Sequence, residues 1–195
     1  MKNFILLISI AVIAVSAGGS SEVLAQNSRV LAQAERTSGD RFTFTARTPR
    51  GAVVYSARRA SSDTLRAIDK GLTELFAAAR RNRYRNRLNY SDYTIYVARA
   101  DRSNDADGNY SPAIAIASAQ YAGTVFDNGG YMYVAGMVIS NEPPAFLVPD
   151  HDRNFNLLAD YVRYEGEHLV LYHNDRRRYA ATADHSKGGS HPILQ

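Results

Sequence analysis

The sequence predicts an α+β fold in which a mixed or antiparallel sheet of about five strands packs against two main helices. Short stretches of alternating apolar and polar residues, typical of strands, recur along the chain. Two longer stretches have apolar residues at helical spacing, and turns rich in glycine or proline separate the elements. The chain has 195 residues, which after removal of an export signal leaves about one ordinary domain.

Residues 1–25 have the features of a secretory signal peptide. Lys2 gives a basic start, an apolar run follows from Phe4 to Val15, and small residues precede a cut after Ala17 or Ala25. The apolar run is shorter than the roughly 20 residues of a spanning helix, so no membrane span is predicted in the mature chain. We therefore expect a secreted or periplasmic protein, most naturally a bacterial one.

Residues 26–40 are polar with weak helical spacing, and we interpret them as a linker or a marginal helix. A single α+β domain is then predicted over residues 41–195. It begins with a β-hairpin, because residues 41–47 alternate phenylalanines with polar neighbours and a turn at 48–51 leads into a second strand.

A helix is predicted next, from a cap at Ser61 or Ser62 to about Asn82, with one apolar face for the sheet. The basic run that follows, Arg80–Arg87, is interleaved with tyrosine, a pattern that nucleic-acid-binding proteins use for phosphate contact and base stacking. Cations are also favoured at a helix C-terminus by the helix dipole. We favour a solvated helix end, and nucleic acid is disfavoured as a partner.

Three further strands are predicted, at residues 93–100, 113–119 and 131–139. The loop after the first has Asp105, Asp107 and Gly108 at the mutual spacing of a calcium-binding loop. Because Ser103 replaces the first Asp and Ile114 the closing Glu, we interpret it as a polar hairpin loop.

A Pro143-Pro144 loop is predicted to lead into the second long helix, over residues 152–175. The helix has apolar residues at the spacing of one buried face: Phe155, Leu158, Val162, Leu169 and Tyr172. Glu165 falls within this stripe, where a carboxylate is costly unless it is paired or kept for chemistry. His168 follows at i+3, so the two side chains project together. Arg176–Arg178 are interpreted as the helix end, followed by an irregular tail.

Residues 164–168, Tyr-Glu-Gly-Glu-His, resemble the H-E-x-x-H motif of zincin metallopeptidases. In that family two His one turn apart hold zinc, and the Glu is the general base toward water. Glu165 and His168 match the base and the second ligand, and Tyr164 stands in place of the first. The inverted motif H-x-x-E-H matches through Glu167 and His168. The predicted element order, with this helix after the last strand, is also zincin-like.

The resemblance implies a secreted metal-dependent hydrolase with Glu165 as the catalytic base and zinc as the cofactor. The zinc ligands would be His168 and two of three later histidines: His173, His185 and His191. His173 is at i+5 from His168, roughly 140° round a helix, so it joins the site only where the helix has ended. A site closed by four histidines would instead be structural.

The alternative is a non-catalytic extracytoplasmic binding or interaction domain, in which Glu165 pairs with an arginine. The formal charge of +4 permits a polyanionic cell-surface ligand as well as a peptide. The sequence has no cysteine, which excludes disulfides, thiol catalysis and cysteine-based zinc sites. No nucleophile elbow or phosphate-loop motif is visible in the sequence, so other enzyme classes have less support.

Overall fold

The computed structural model describes residues 18–99, 114–117, 131–134, 137–150, 153–183 and 191–195. The helices within these ranges are α1 (Gly18–Ser38), α2 (Ser62–Arg81), α3 (Phe155–Asn174) and α4 (Arg176–Thr182). The strands are β1 (Phe44–Arg47), β2 (Val53–Ser56), β3 (Thr94–Ala98), β4 (Ile114–Ala117), β5 (Tyr131–Val134), β6 (Met137–Ser140) and β7 (Ala145–Pro149). None of these helices is long and apolar enough to cross a membrane.

Five strands form one mixed sheet in the order β1-β2-β3-β7-β6. The three central strands run parallel: Tyr55 lies opposite Tyr96 in the first pair, and Tyr96 opposite Leu147 in the second. β1 and β6 run antiparallel at the two edges, and β4 and β5 form a separate pair. The prediction of an α+β fold with about five strands in a mixed sheet is confirmed, whereas the zincin-like element order stays a prediction.

The two main helices, α2 and α3, pack together on one face of the sheet. The α2 helix begins at the predicted cap, where Ser61 Oγ accepts the Thr64 N–H at 3.0 Å. The helices approach closely at Gly71, where an added Cβ would overlap the carbonyl oxygen of Ala159 and lie 2.7 Å from Val162 Cβ. This close approach fixes how α3 lies against the core, and so where its second half presents its side chains.

The α1 helix covers the opposite face of the sheet. Ala34 is fully buried there, in a cluster with Phe42, Tyr96 and Leu147. Residues 26–38, which the sequence analysis left open between a linker and a marginal helix, are thus helical and belong to the domain core. Packing on the sheet stabilises this segment beyond what its weak apolar spacing indicates.

The loop expected after residue 142 is in fact largely a strand, and that interpretation was wrong. β7 lies between β3 and β6 in the sheet, and all five of its residues are buried. A short unbroken apolar run is typical of a parallel strand covered on both faces. Similarly, residues 131–139 contain parts of two strands, β5 and β6, which belong to different sheets. The calcium-like loop lies outside the described residues.

The arginines after Asp175 begin a new helix, where the sequence analysis placed the end of the old one. Asp175 caps α4 by accepting the Arg178 N–H at 2.9 Å, and this bond lowers the pKa of the Asp175 carboxyl group. Tyr84 donates to the same side chain at 3.1 Å, which ties the end of α3 to the loop after α2. Tyr84, within the basic loop, thus has a packing role here.

Candidate functional site

Two of the predicted zinc ligands come together in the structure. His168, on the second half of α3, is 7 % exposed, and its ring meets that of His191 edge to face. The ring centroids are 4.9 Å apart with an interplanar angle of 78°. His191 opens the C-terminal segment, residues 191–195, so the pair joins two parts of the chain that are far apart in sequence.

Glu167 holds this segment in place and is fully buried. Its Oε2 accepts the Ile193 N–H at 2.7 Å and lies 2.9 Å from His191 Nδ1. An ionised carboxylate can only accept hydrogen bonds, so it favours the tautomer of His191 that carries a proton on Nδ1. In that tautomer Nε2 is the nitrogen that a metal ion would use, which is the usual arrangement of a zinc-bound histidine backed by a carboxylate.

Two arginines add to the attachment of the C-terminal segment. Arg163 Nη2 donates to the Leu194 carbonyl oxygen at 3.1 Å, and Arg178 donates to the carbonyl oxygen of Ile193. Arg163 also lies 3.8 Å from Glu167 Oε1. The arginine partner that the alternative interpretation assigned to Glu165 is therefore found beside Glu167.

Glu165 is half-buried and forms no hydrogen bond or ion pair with the residues that the structure describes. Removal from water raises the pKa of its carboxyl group to about 8, and the nearby Glu167 carboxylate adds to this effect. The carboxyl group therefore titrates near pH 8, about a pH unit from neutrality, where general acid–base catalysis is effective.

The remaining predicted residues are divided between this cluster and other places. Tyr164 stacks on His191, with centroids 5.2 Å apart, so it supports the ring. His173 lies elsewhere, since its Nε2 is 2.9 Å from the Asn141 carbonyl oxygen. His185 lies outside the described residues. Within the described ranges, no group of three or more metal-binding side chains is present.

A second feature, which the sequence analysis missed, is a cavity at the carboxyl ends of the parallel strands. It is lined by the ends of β2 and β3 and by residues that follow β2, β3 and β7, including Ser56, Arg58, Arg59 and Arg153. Arginines in loops carry no motif, and the third strand of this parallel edge is visible only once β7 is recognised as a strand. The unbroken apolar run of residues 145–149 is the signal that would have located it.

The chain matches no protein-family model, no curated protein and no solved structure. Its function therefore has to be inferred from its own residues. The fold and the cluster on α3 define an α+β protein with a paired-histidine site backed by buried glutamate.

Proposed function

We propose that the protein is an exported, metal-dependent hydrolase of the zincin peptidase kind, with zinc held by His168 and His191. The observation that carries the proposal is the meeting of these two imidazoles next to Glu167. Zn–N bonds of about 2.0–2.1 Å place tetrahedral donors roughly 3.3 Å apart, so rings with centroids 4.9 Å apart are close enough to share one ion.

A catalytic zinc ion usually has three protein ligands, and the described residues supply two of them. We assign the third ligand to His185, one of the histidines predicted from the sequence. It lies outside the described residues. Bound zinc supplies Lewis-acid activation of water and of a scissile carbonyl group. Glu165, one turn before His168, is the residue that accepts a proton from water in this proposal, and its pKa of about 8 suits a base that works at mildly alkaline pH.

The test is zinc binding, measured by elemental analysis and calorimetric titration. Wild-type protein should bind one zinc ion, and His168→Ala and His191→Ala should each lose it. His173→Ala is the matched control and should keep it, because His173 contacts Asn141 instead of the cluster. Glu165→Gln should bind zinc and lose peptide hydrolysis. If wild-type protein binds no divalent metal tighter than about 10 μM, some −7 kcal/mol, the hydrolase proposal is wrong.

A non-catalytic binding domain is the second candidate, and a different cavity favours it. This cavity, of about 450 Å³, lies between α1 and the sheet and has the size of a small-molecule site. Tyr55 and Tyr96 line it and stack with centroids 5.3 Å apart, next to Val30 and Pro143. Binding of an apolar peptide that survives in His168→Ala and is lost in Tyr55→Ala would favour this function over hydrolysis.

A further inference from the structure

The cavity at the carboxyl ends of the parallel strands has the location of a ligand site. In open α/β sheets, ligands bind in the crevice outside the carboxyl ends of the parallel strands. Here the described residues that follow β2, β3 and β7 surround about 160 Å³. The cavity is separate from the histidine cluster. It lies near the start of α3, whereas His168 is 13 residues, about 20 Å of helix, further along.

The charges that line the cavity are mostly positive. Arg58, Arg59 and Arg153 form no ion pair with any described residue. Arg99 also lines the cavity, and its Nε lies 2.7 Å from Asp40 Oδ1. The acidic residue in the lining is Asp150. Four guanidinium groups against one carboxylate make the cavity attractive to an anion with several oxygen atoms, because guanidinium groups bind phosphate in a bidentate manner.

The N-terminus of α2 also favours an anion in the cavity. Ser61, the cap residue, and Thr64, in the first turn, both line the cavity. The first amide groups of a helix have no partner within the helix, and the helix dipole favours negative charge at this end. The N-terminus of a 20-residue helix can therefore supply N–H donors to a phosphate group.

An unpartnered hydroxyl group in the lining is a candidate contact for a ligand. Ser56 ends β2 and is only 2 % exposed, and its Oγ has no hydrogen-bond partner among the described residues. Buried hydroxyl groups are nearly always hydrogen-bonded, since leaving one unpaired costs free energy. Ser56 also lines the cavity, so a small rotation of its side chain would let an oxygen atom of a bound anion complete its hydrogen bonding.

We propose that this cavity binds a phosphate group, with Ser56 Oγ, the arginines and the start of α2 as its contacts. The phosphate is carried either by a small phosphorylated molecule or by an anionic polymer outside the cell. This proposal is independent of the zinc site and of hydrolysis.

The test is calorimetric titration of the mature chain with inorganic phosphate, glycerol 3-phosphate and polyphosphate at low ionic strength. Each is expected to bind saturably, and the tighter of the last two identifies the source of the phosphate. Arg58→Gln/Arg59→Gln should weaken phosphate binding at least tenfold. The matched control, Arg80→Gln/Arg81→Gln, removes the same charge from exposed residues at the other end of α2, and it should change binding less than twofold.

Ser56→Ala separates a ligand contact from a structural role. It should weaken phosphate binding severalfold while leaving the melting temperature of the unliganded protein unchanged or raised, because it removes an unpaired buried hydroxyl group. The proposal is overturned if phosphate does not bind saturably, if the two double variants weaken binding equally, or if Ser56→Ala binds phosphate like wild type.

Discussion

Glu167 Oε2 lies 2.9 Å from His191 Nδ1, and through this contact a buried carboxylate joins helix α3 to the C-terminal segment. The same oxygen accepts the Ile193 N–H, and the side chains of Ile193 and Leu194 are buried in the core beside α3. The polar contact and the apolar packing thus position each other. In the proposed zinc site, the segment of residues 191–195, which packs beside α3, also supplies the second imidazole, that of His191.

Glu167→Ala is expected to destabilise the protein by roughly 3 kcal/mol or more. The substitution leaves the buried Ile193 N–H and the His191 ring without their acceptor, and it removes the charge beside Arg163. Urea unfolding measures the loss. Glu74→Ala, on α2, is the control and should change stability by about 0.5 kcal/mol or less. A loss below about 1 kcal/mol in Glu167→Ala would show that the contact does not stabilise the fold.

Glu165 should make stability fall as the pH rises. Burial raises the pKa of its carboxyl group from 4.5 to about 8, so the folded protein binds more protons than the unfolded chain between these values. The contribution of this group to the free energy of unfolding is therefore largest below pH 4.5. It decreases as the pH rises toward and through about 8.

Glu165→Gln cannot ionise, and its stability relative to wild type should therefore increase from about pH 5 to pH 8. Urea unfolding of both proteins at four pH values in this range measures the difference, in which the titration of the histidines largely cancels. A difference that stays constant with pH would mean that the Glu165 carboxyl group is not perturbed in the folded state.

Patterns of neighbouring residues in the sequence were sufficient to predict a helix cap, a hairpin and the length of a helix. The cap at Ser61, the hairpin of β1 and β2 and the length of α3 follow from capping, alternation and helical periodicity. β7 was missed because an unbroken apolar run between a Pro-Pro turn and a helix has no periodicity of its own. α1 was left open because its stability comes from packing on a sheet face that only tertiary structure provides.

The candidate site was only partly predictable for the same reason. Glu165 lies on the apolar stripe of α3, and its unusual environment was visible from spacing. Glu167 lies roughly 200° further round the helix, on the side away from the apolar stripe. It is buried because residues 191–195 cover that side, and their glycine- and proline-rich surroundings gave no sign of an ordered segment. Contacts between distant parts of the chain cannot be read from either segment alone.

Gly71→Ala is expected to destabilise the protein by about 1–3 kcal/mol, although alanine is the better helix former. The added methyl group would overlap the Ala159 carbonyl oxygen, and backbone cannot move aside without separating the two helices. Gly166→Ala is the matched comparison, because its methyl group would meet Leu75 Cδ2, a side-chain atom that can shift more readily than backbone, and it should cost less. Thermal unfolding of both variants tests the order, and a Gly71→Ala protein as stable as wild type would contradict the close packing.

Export predicts a mature chain that begins at Gly18 or Gln26, and intact-mass measurement of protein from its native host distinguishes the two.

A cut after Ala17 leaves α1 whole, since the helix begins at Gly18. A cut after Ala25 removes its first turns but keeps Val30, Leu31 and Ala34, which pack on the sheet. Chains that begin at either residue therefore keep all three of these described core contacts. A chain that begins after Ser38 should lose several kcal/mol, at roughly 1.5–3 kcal/mol for each large apolar side chain whose burial is lost. Recovery of full-length protein from the cytoplasm would contradict export, and a chain that begins after Ser38 and is as stable as the longer chains would contradict the role of α1 in the core.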